Sequence, residues 1–120
     1  MALPTTVSYV DPKSSVRVQG ANSLSAVGDA TIISAPSGTG KAIYLQKAIV
    51  TVSSVGGGGI IALEDGAGGT RLAEWSAVGH YVLDFGEQGL KLSDNTALNL
   101  TVETADSKAY CTAVGFVNLP

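Results

Sequence analysis

The sequence predicts an all-β protein: a jelly-roll-like two-sheet β-sandwich of about eight strands, preceded by an extended N-terminal arm. Three observations carry this expectation. Apolar and polar residues alternate with a period of two, most cleanly over residues 80–85, where Tyr81, Leu83 and Phe85 take one side and His80, Val82 and Asp84 the other. Clusters of Gly, Pro, Asn and Asp separate such stretches at short intervals, and no stretch sustains a helical period. An immunoglobulin-like sandwich is the structural alternative.

Residues 1–28 differ from the remainder. Pro4 and Pro12 interrupt short apolar pieces, and only residues 15–19, with Val16 and Val18 on one side, read as a strand. The segment is expected to be an arm that packs along its own domain, adds a strand to a neighbour, or is ordered by a partner. Val7, Tyr9 and Val10 are its candidate partner contacts. The β-sandwich domain is expected over residues 29–120. Residues 29–34 make a short strand that ends at Ala35-Pro36, because proline has no N–H with which to continue a ladder.

Ser37-Gly38-Thr39-Gly40 then turns into the stretch that organises the chain, residues 41–70. Ile43 and Leu45 share one strand face and Val50 and Val52 share another phase, so the alternation slips near Lys47, where a β-bulge fits. Such a bend would let one strand serve two sheets. Gly56 to Gly59 tolerate a reversal, and the apolar run Ile60 to Leu63 follows, so a hairpin is the economical expectation.

A second glycine-rich turn after Asp65 leads into residues 70–75, with Leu72 as a core candidate and Trp75 at the domain edge. Residues 80–85 follow, then Gly86-Glu87-Gln88-Gly89 and the very short strand Leu90-Lys91-Leu92. Beyond the turn at Ser93-Asp94-Asn95-Thr96, Leu98, Leu100 and Val102 alternate with Asn99, Thr101 and Glu103, which predicts one buried face. Ala105-Asp106-Ser107-Lys108 precedes the last strand, residues 109–117. There Tyr110, Thr112, Val114 and Phe116 oppose Ala109, Cys111, Ala113, Gly115 and Val117, and the small residues of the second side permit close packing. Low charge and this small-residue side together predict a homotrimer.

Composition narrows the function. The chain has 120 residues, of which 45% are hydrophobic and only 14% charged, so Ser, Thr, Gly, Ala and Asn must form much of the surface. Such a surface suits contact with other protein, and it is also what Ser/Thr-rich β-proteins ordinarily show. The net charge is −3 and the seven basic residues are scattered singly, which argues against nucleic-acid binding, since neutralising a phosphate backbone needs clustered cations. Apolar runs are far short of a membrane span, and the N-terminus lacks a basic region followed by an apolar core, so a soluble chain with no membrane partner is expected. Cys111 is the single cysteine, excluding an internal disulfide, and its place on an alternating strand suits a packed core residue.

No motif supplies a catalytic, cofactor or metal site. APSGTGKA at residues 35–42 is like a P-loop, but Ala35 replaces the first glycine, Ala42 the magnesium-binding hydroxyl, and a strand follows instead of a helix. Glu64 and Asp65 offer oxygen ligands without calcium-loop spacing. Asp84 and Glu87 have no fixed carboxylate partner. His80 is the single histidine, and no serine stands in a G-x-S-x-G elbow. Trp75, Tyr81 and Tyr110 form a sugar-stacking platform only if the fold assembles them.

The phrases SAPSGTGKAIYLQKAIVTVSS, GGIIALEDGAGGT, VLDFGEQGLKLSDNTALNLTVE and AYCTAVGFV, together covering about residues 30–117, resemble the small jelly-roll decoration or cement proteins on the heads of tailed bacteriophages. The features that match are the AP-x-GK-x-I-like lead into a long strand at Ala35 to Ile43, the turn Asp65-Gly66 and the G-L-x-L segment Gly89 to Leu92. The resemblance implies a non-enzymatic protein of the virion exterior. It would trimerise, bind the major capsid protein and stabilise the shell, with no cofactor. The alternative function is a phage fibre, spike or tail-associated β-module that recognises a host surface glycan or receptor. A bacterial carbohydrate-binding module is a further possibility.

Overall fold

The structure, a computed structural model, describes residues 15–57 and 59–118. The arm contacts Val7, Tyr9 and Val10 lie outside the described residues. The strands are β1 (Ser15–Leu24), β2 (Gly28–Ile33), β3 (Ile43–Ser54), β4 (Ile61–Asp65), β5 (Thr70–Trp75), β6 (Gly79–Asp84), β7 (Leu90–Lys91), β8 (Leu98–Val102) and β9 (Lys108–Asn118). All pairings between them are antiparallel. The first sheet has the order β1-β9-β3-β6, with β7 pairing β3 at Tyr44 and Leu45 in line with β6; the second has the order β2-β8-β4-β5.

Chain order and sheet order together make a jelly roll. The chain crosses from sheet to sheet after β1, β2, β3, β5, β7 and β8, while β4 and β5 form a hairpin within the second sheet. Between the layers lies one apolar core, built chiefly from Ile43, Leu45, Val50 and Val52 of β3, Ile61 and Leu63 of β4, Leu98, Leu100 and Val102 of β8, and Cys111 of β9. Each strand contributes alternate residues because successive side chains leave opposite faces of the pleat.

β3 is the strand the alternation foretold. The register against β9 steps from Leu45↔Gly115 to Lys47↔Val114, so Gln46 is the extra residue of a bulge. Burial accordingly changes phase, with Ile43 and Leu45 inside before it and Ala48, Val50 and Val52 inside after it. The bulge is accommodated by Gly115: a Cβ there would stand 2.2 Å from the carbonyl oxygen of Tyr44. The bend does not carry β3 into a second sheet. Both halves pair with β9, and β6 and β7 share the opposite edge.

The glycine-rich segment after β3 is likewise not a hairpin turn. β4 pairs with β5 and β8, so the chain passes from one sheet to the other. Gly59 N–H donates to Gly56 C=O at 2.8 Å, and Gly56 lies so close to the loop after β8 that a Cβ would be 2.1 Å from the Ala105 carbonyl oxygen. Glycine is therefore required there for close approach of two backbones.

Two other expectations change. β8 is buried on both sides, because it is an inner strand and its polar side chains are bonded to the adjacent β2: Asn99 Nδ2 donates to Asp29 Oδ1 at 3.2 Å and Thr101 Oγ1 to Gly28 C=O at 3.3 Å. β1 is longer than residues 15–19 and pairs with β9 along its whole length, Ser15↔Asn118 to Leu24↔Ala109.

Candidate functional site

The small-residue side of β9 faces inward. Ala109, Cys111, Ala113, Gly115 and Val117 are buried, and Tyr110, Thr112, Val114 and Phe116 form the outer side. The side linked at first to self-association is thus part of the core, because the small residues allow β9 to lie against the second sheet. The outward side is continued by β3 and β6, and the register lines up three cross-strand rows: Tyr110, Thr51 and His80; Thr112, Ile49 and Val82; Val114, Lys47 and Asp84. Phe116 stacks on Tyr44 with ring centroids 4.9 Å apart. Ile49, Val82 and Tyr110 are 41%, 57% and 48% exposed, so a sheet face that carries large apolar groups is open to solvent. Contiguous exposed apolar surface of this kind marks contact sites for macromolecules.

The outer face of the second sheet is chemically different. Arg71 on β5 binds three carboxylates from different elements: Glu64 of β4 through Nε at 3.3 Å, Glu74 through Nη1 and Glu103 through Nη2. Its guanidinium is held more firmly in the charged form, first by the hydrogen bond to Glu74, with burial opposing and Glu103 adding to the effect. Glu64, almost fully buried, also accepts from Gly68 N–H at 3.2 Å. This network joins β4, β5 and the end of β8 across the sheet.

The residues considered for chemistry are dispersed. Glu64 is engaged by Arg71 and Gly68, whereas Asp65 accepts from the N–H and hydroxyl of Ser93, the latter at 2.6 Å. Asp84 accepts from Gly86 N–H at 2.9 Å, closing the turn after β6. His80 Nδ1 lies 3.0 Å from Thr51 Oγ1 on the exposed face. Cys111 is buried, and burial pushes its thiol up to about 12, far from a reactive thiolate. Among the described residues, no three His, Cys, Asp or Glu side chains converge as metal ligands. Residues 35–42 form the connection between β2 and β3, with a strand after the glycines.

The three aromatics do not make one platform. Trp75 and Tyr81 stack at 5.3 Å and pack against the edge of the core, while Tyr110 stands on the outer face of the first sheet. The outer apolar face was missed in the sequence because both sides of β9 are apolar, and period two alone does not say which side is inside. The signal available was the contrast in size: the small side can approach another layer closely.

In class, then, the chain is a jelly-roll β-sandwich whose first sheet leaves large apolar groups open to solvent on its outer face. No protein-family model matches it, and no curated protein does. Among solved structures, it is similar to a chain of the Cyanophage Pam1 capsid asymmetric unit, with a TM-score of 0.52 and 14% sequence identity, over 98% of this chain and 94% of that one. At this identity the likeness is one of fold. The two coverages also make the chains nearly equal in length.

Proposed function

We propose that the chain is a non-enzymatic structural protein of a tailed-bacteriophage virion, a decoration or cement protein that binds the outside of the head as a homotrimer and holds neighbouring major capsid subunits together. The observation that carries this reading is the likeness, in both fold and length, to a chain of a phage capsid asymmetric unit. The exposed apolar face of the first sheet supports it, since a protein that acts by binding needs contact surface and no reactive constellation. In this reading the arm of residues 1–28 lays its later part, β1, along its own sandwich, and Val7, Tyr9 and Val10 contact capsid or a sister subunit.

The mechanism is linkage. A protein that binds the assembled shell and not its dissociated parts lowers the free energy of the shell, by about 2.7 kcal/mol per site at a hundredfold excess over Kd. Light scattering of the purified protein, followed by co-sedimentation with phage capsids that lack it, tests the reading. Three copies of 12.1 kDa give about 36 kDa, and the trimer is expected to pellet with the capsids. A folded protein that leaves every capsid bare overturns the cement reading. Deletion of residues 1–12 is expected to weaken pelleting while the β circular-dichroism signal persists; loss of that signal overturns the division into arm and sandwich.

A further inference from the structure

β1 is an edge strand. β9 pairs with it from Ser15 to Leu24 without a register shift, and among the described residues no strand pairs with its other edge. β2 passes across the core side of β1, where a Cβ on Gly20 would collide with the Ile32 carbonyl oxygen, and so leaves that edge open. An open edge presents a row of free N–H and C=O groups, which native proteins cover, charge or pair. The first half of β1 is also apolar on its core side. Val16 lies in the cross-strand row of Val117 and Ile43, both buried, yet is 50% exposed, and Val18 packs against the core from the same side. Arg17 and Gln19 take the outer side, in rows with Phe116 and Val114.

Fourteen residues precede Ser15, and they carry the complement of this edge. Asp11-Pro12-Lys13-Ser14 has Asp and Pro at the first two positions of a type I turn, and four-residue hairpin loops are most often built around that turn. A loop of these four residues sets Val10 opposite Ser15. Antiparallel register then sets Tyr9 opposite Val16, Ser8 opposite Arg17, Val7 opposite Val18 and Thr6 opposite Gln19. Both faces match. Tyr9 and Val7 fall on the side of Val16 and Val18, and Ser8 and Thr6 on the side of Arg17 and Gln19, whereas a slip of one residue would exchange the two sides. Val, Tyr and Thr also favour strand. We propose that residues 6–10 form a hairpin with β1 of their own chain, adding a strand to its free edge and covering Val16.

The short tether favours this occupant over the arm of another copy. Four residues separate the two partners, so the concentration of the segment at the edge is on the order of millimolar, which a separate copy matches only in concentrated solution. The inference goes beyond the preceding reading and does not need capsid binding. As the new rim of the sheet, residues 6–10 are still where a capsid or sister subunit is met.

Tyr9→Cys with Val16→Cys, in a Cys111→Ala background, places two thiols at an opposed pair, whose Cα separation of about 4.5–5.5 Å in an antiparallel ladder is within disulfide reach. Air oxidation is expected to leave no free thiol and to give a single band of 12.1 kDa on a denaturing gel without reductant. Ser8→Cys with Val16→Cys, one residue out of register and on opposite sides, is expected to stay reduced. A band of about 24 kDa, twice the chain, would give the edge to the arm of another copy and overturn the proposal. Free thiols in the first pair, or equal oxidation of both pairs, would overturn it too. Amide hydrogen exchange reads the same pairing without cysteines: deleting residues 1–10 is expected to speed the exchange of alternate amides within residues 16–19 by about tenfold, the worth of one hydrogen bond. Unchanged exchange overturns the proposal whether or not the cysteine variants fold. Capsid co-sedimentation is a separate readout: a protein that links positions 9 and 16 but leaves capsids bare sinks the cement reading alone, and one that pellets with capsids but does not link sinks only the hairpin.

Discussion

Replacing Gly115 by alanine tests the account of the β3 bulge. An added Cβ would lie 2.2 Å from Tyr44 O, 3.1 Å from Tyr44 C and 3.2 Å from Leu45 Cα. All three are backbone atoms, so no side-chain rotation relieves the contact. Real Cβ contacts essentially never fall below 3.0 Å, and the shortfall of 0.8 Å (3.0 minus 2.2) must come from parting β9 and β3. Overpacking of this kind costs about 1–3 kcal/mol, and a ladder hydrogen bond weakened beside it adds about 1 kcal/mol. The sum, about 2–4 kcal/mol, is a large share of the ~5–15 kcal/mol that stabilises a typical domain. It corresponds to a melting temperature lowered by about 10–15 °C in a chain of this size. Thermal unfolding followed by circular dichroism measures the shift. Gly57→Ala is the control, because nothing lies within 4 Å of a Cβ there; it is expected to change stability by no more than about 0.5 kcal/mol. If the Gly115 variant melts within the scatter of the wild type, the close approach at the bulge is not what fixes glycine at this position.

Two further expectations follow from the buried polar groups. The Cys111 thiol is raised from 9.0 to about 12 by burial, so the native state holds it neutral while the unfolded chain ionises earlier. Its contribution is therefore complete below about pH 9 and is lost as pH rises towards 12, at about 1.4 kcal/mol per pH unit. Urea unfolding of wild type and Cys111→Ala across this range is expected to show the extra alkaline loss in wild type alone; parallel pH profiles would refute it. Arg71→Met removes the shared partner of Glu64, Glu74 and Glu103 and leaves the almost fully buried Glu64 with the Gly68 N–H. The melting temperature is expected to fall, and Glu64→Gln in the same background to recover part of the loss. An unchanged melt for the single variant would show that the network is not structural.

Much of the strand content was legible because period two is local. Residues 70–75 and the Leu98–Val102 alternation coincide with β5 and β8, and the slip near Lys47 marked the bulge at Gln46. These features depend on side chains leaving alternate faces of one strand, which neighbouring residues suffice to reveal. The same locality explains what was not legible. Glycines between β3 and β4 permit a reversal, but only the pairing of β4 with β8 makes it a passage between sheets. Alternation along β9 separates a small side from a large one, but only the opposing sheet determines that the small side is the core and Tyr110 and Val114 are outside. Arg71 meets Glu103 across 32 positions, and Trp75 meets Tyr81 while Tyr110 does not, for the same reason. The sequence by itself determined which segments are strands and where they break. Which strands pair, and hence which face is left open to solvent, was decided by the tertiary structure, because burial depends on contacts between residues distant along the chain.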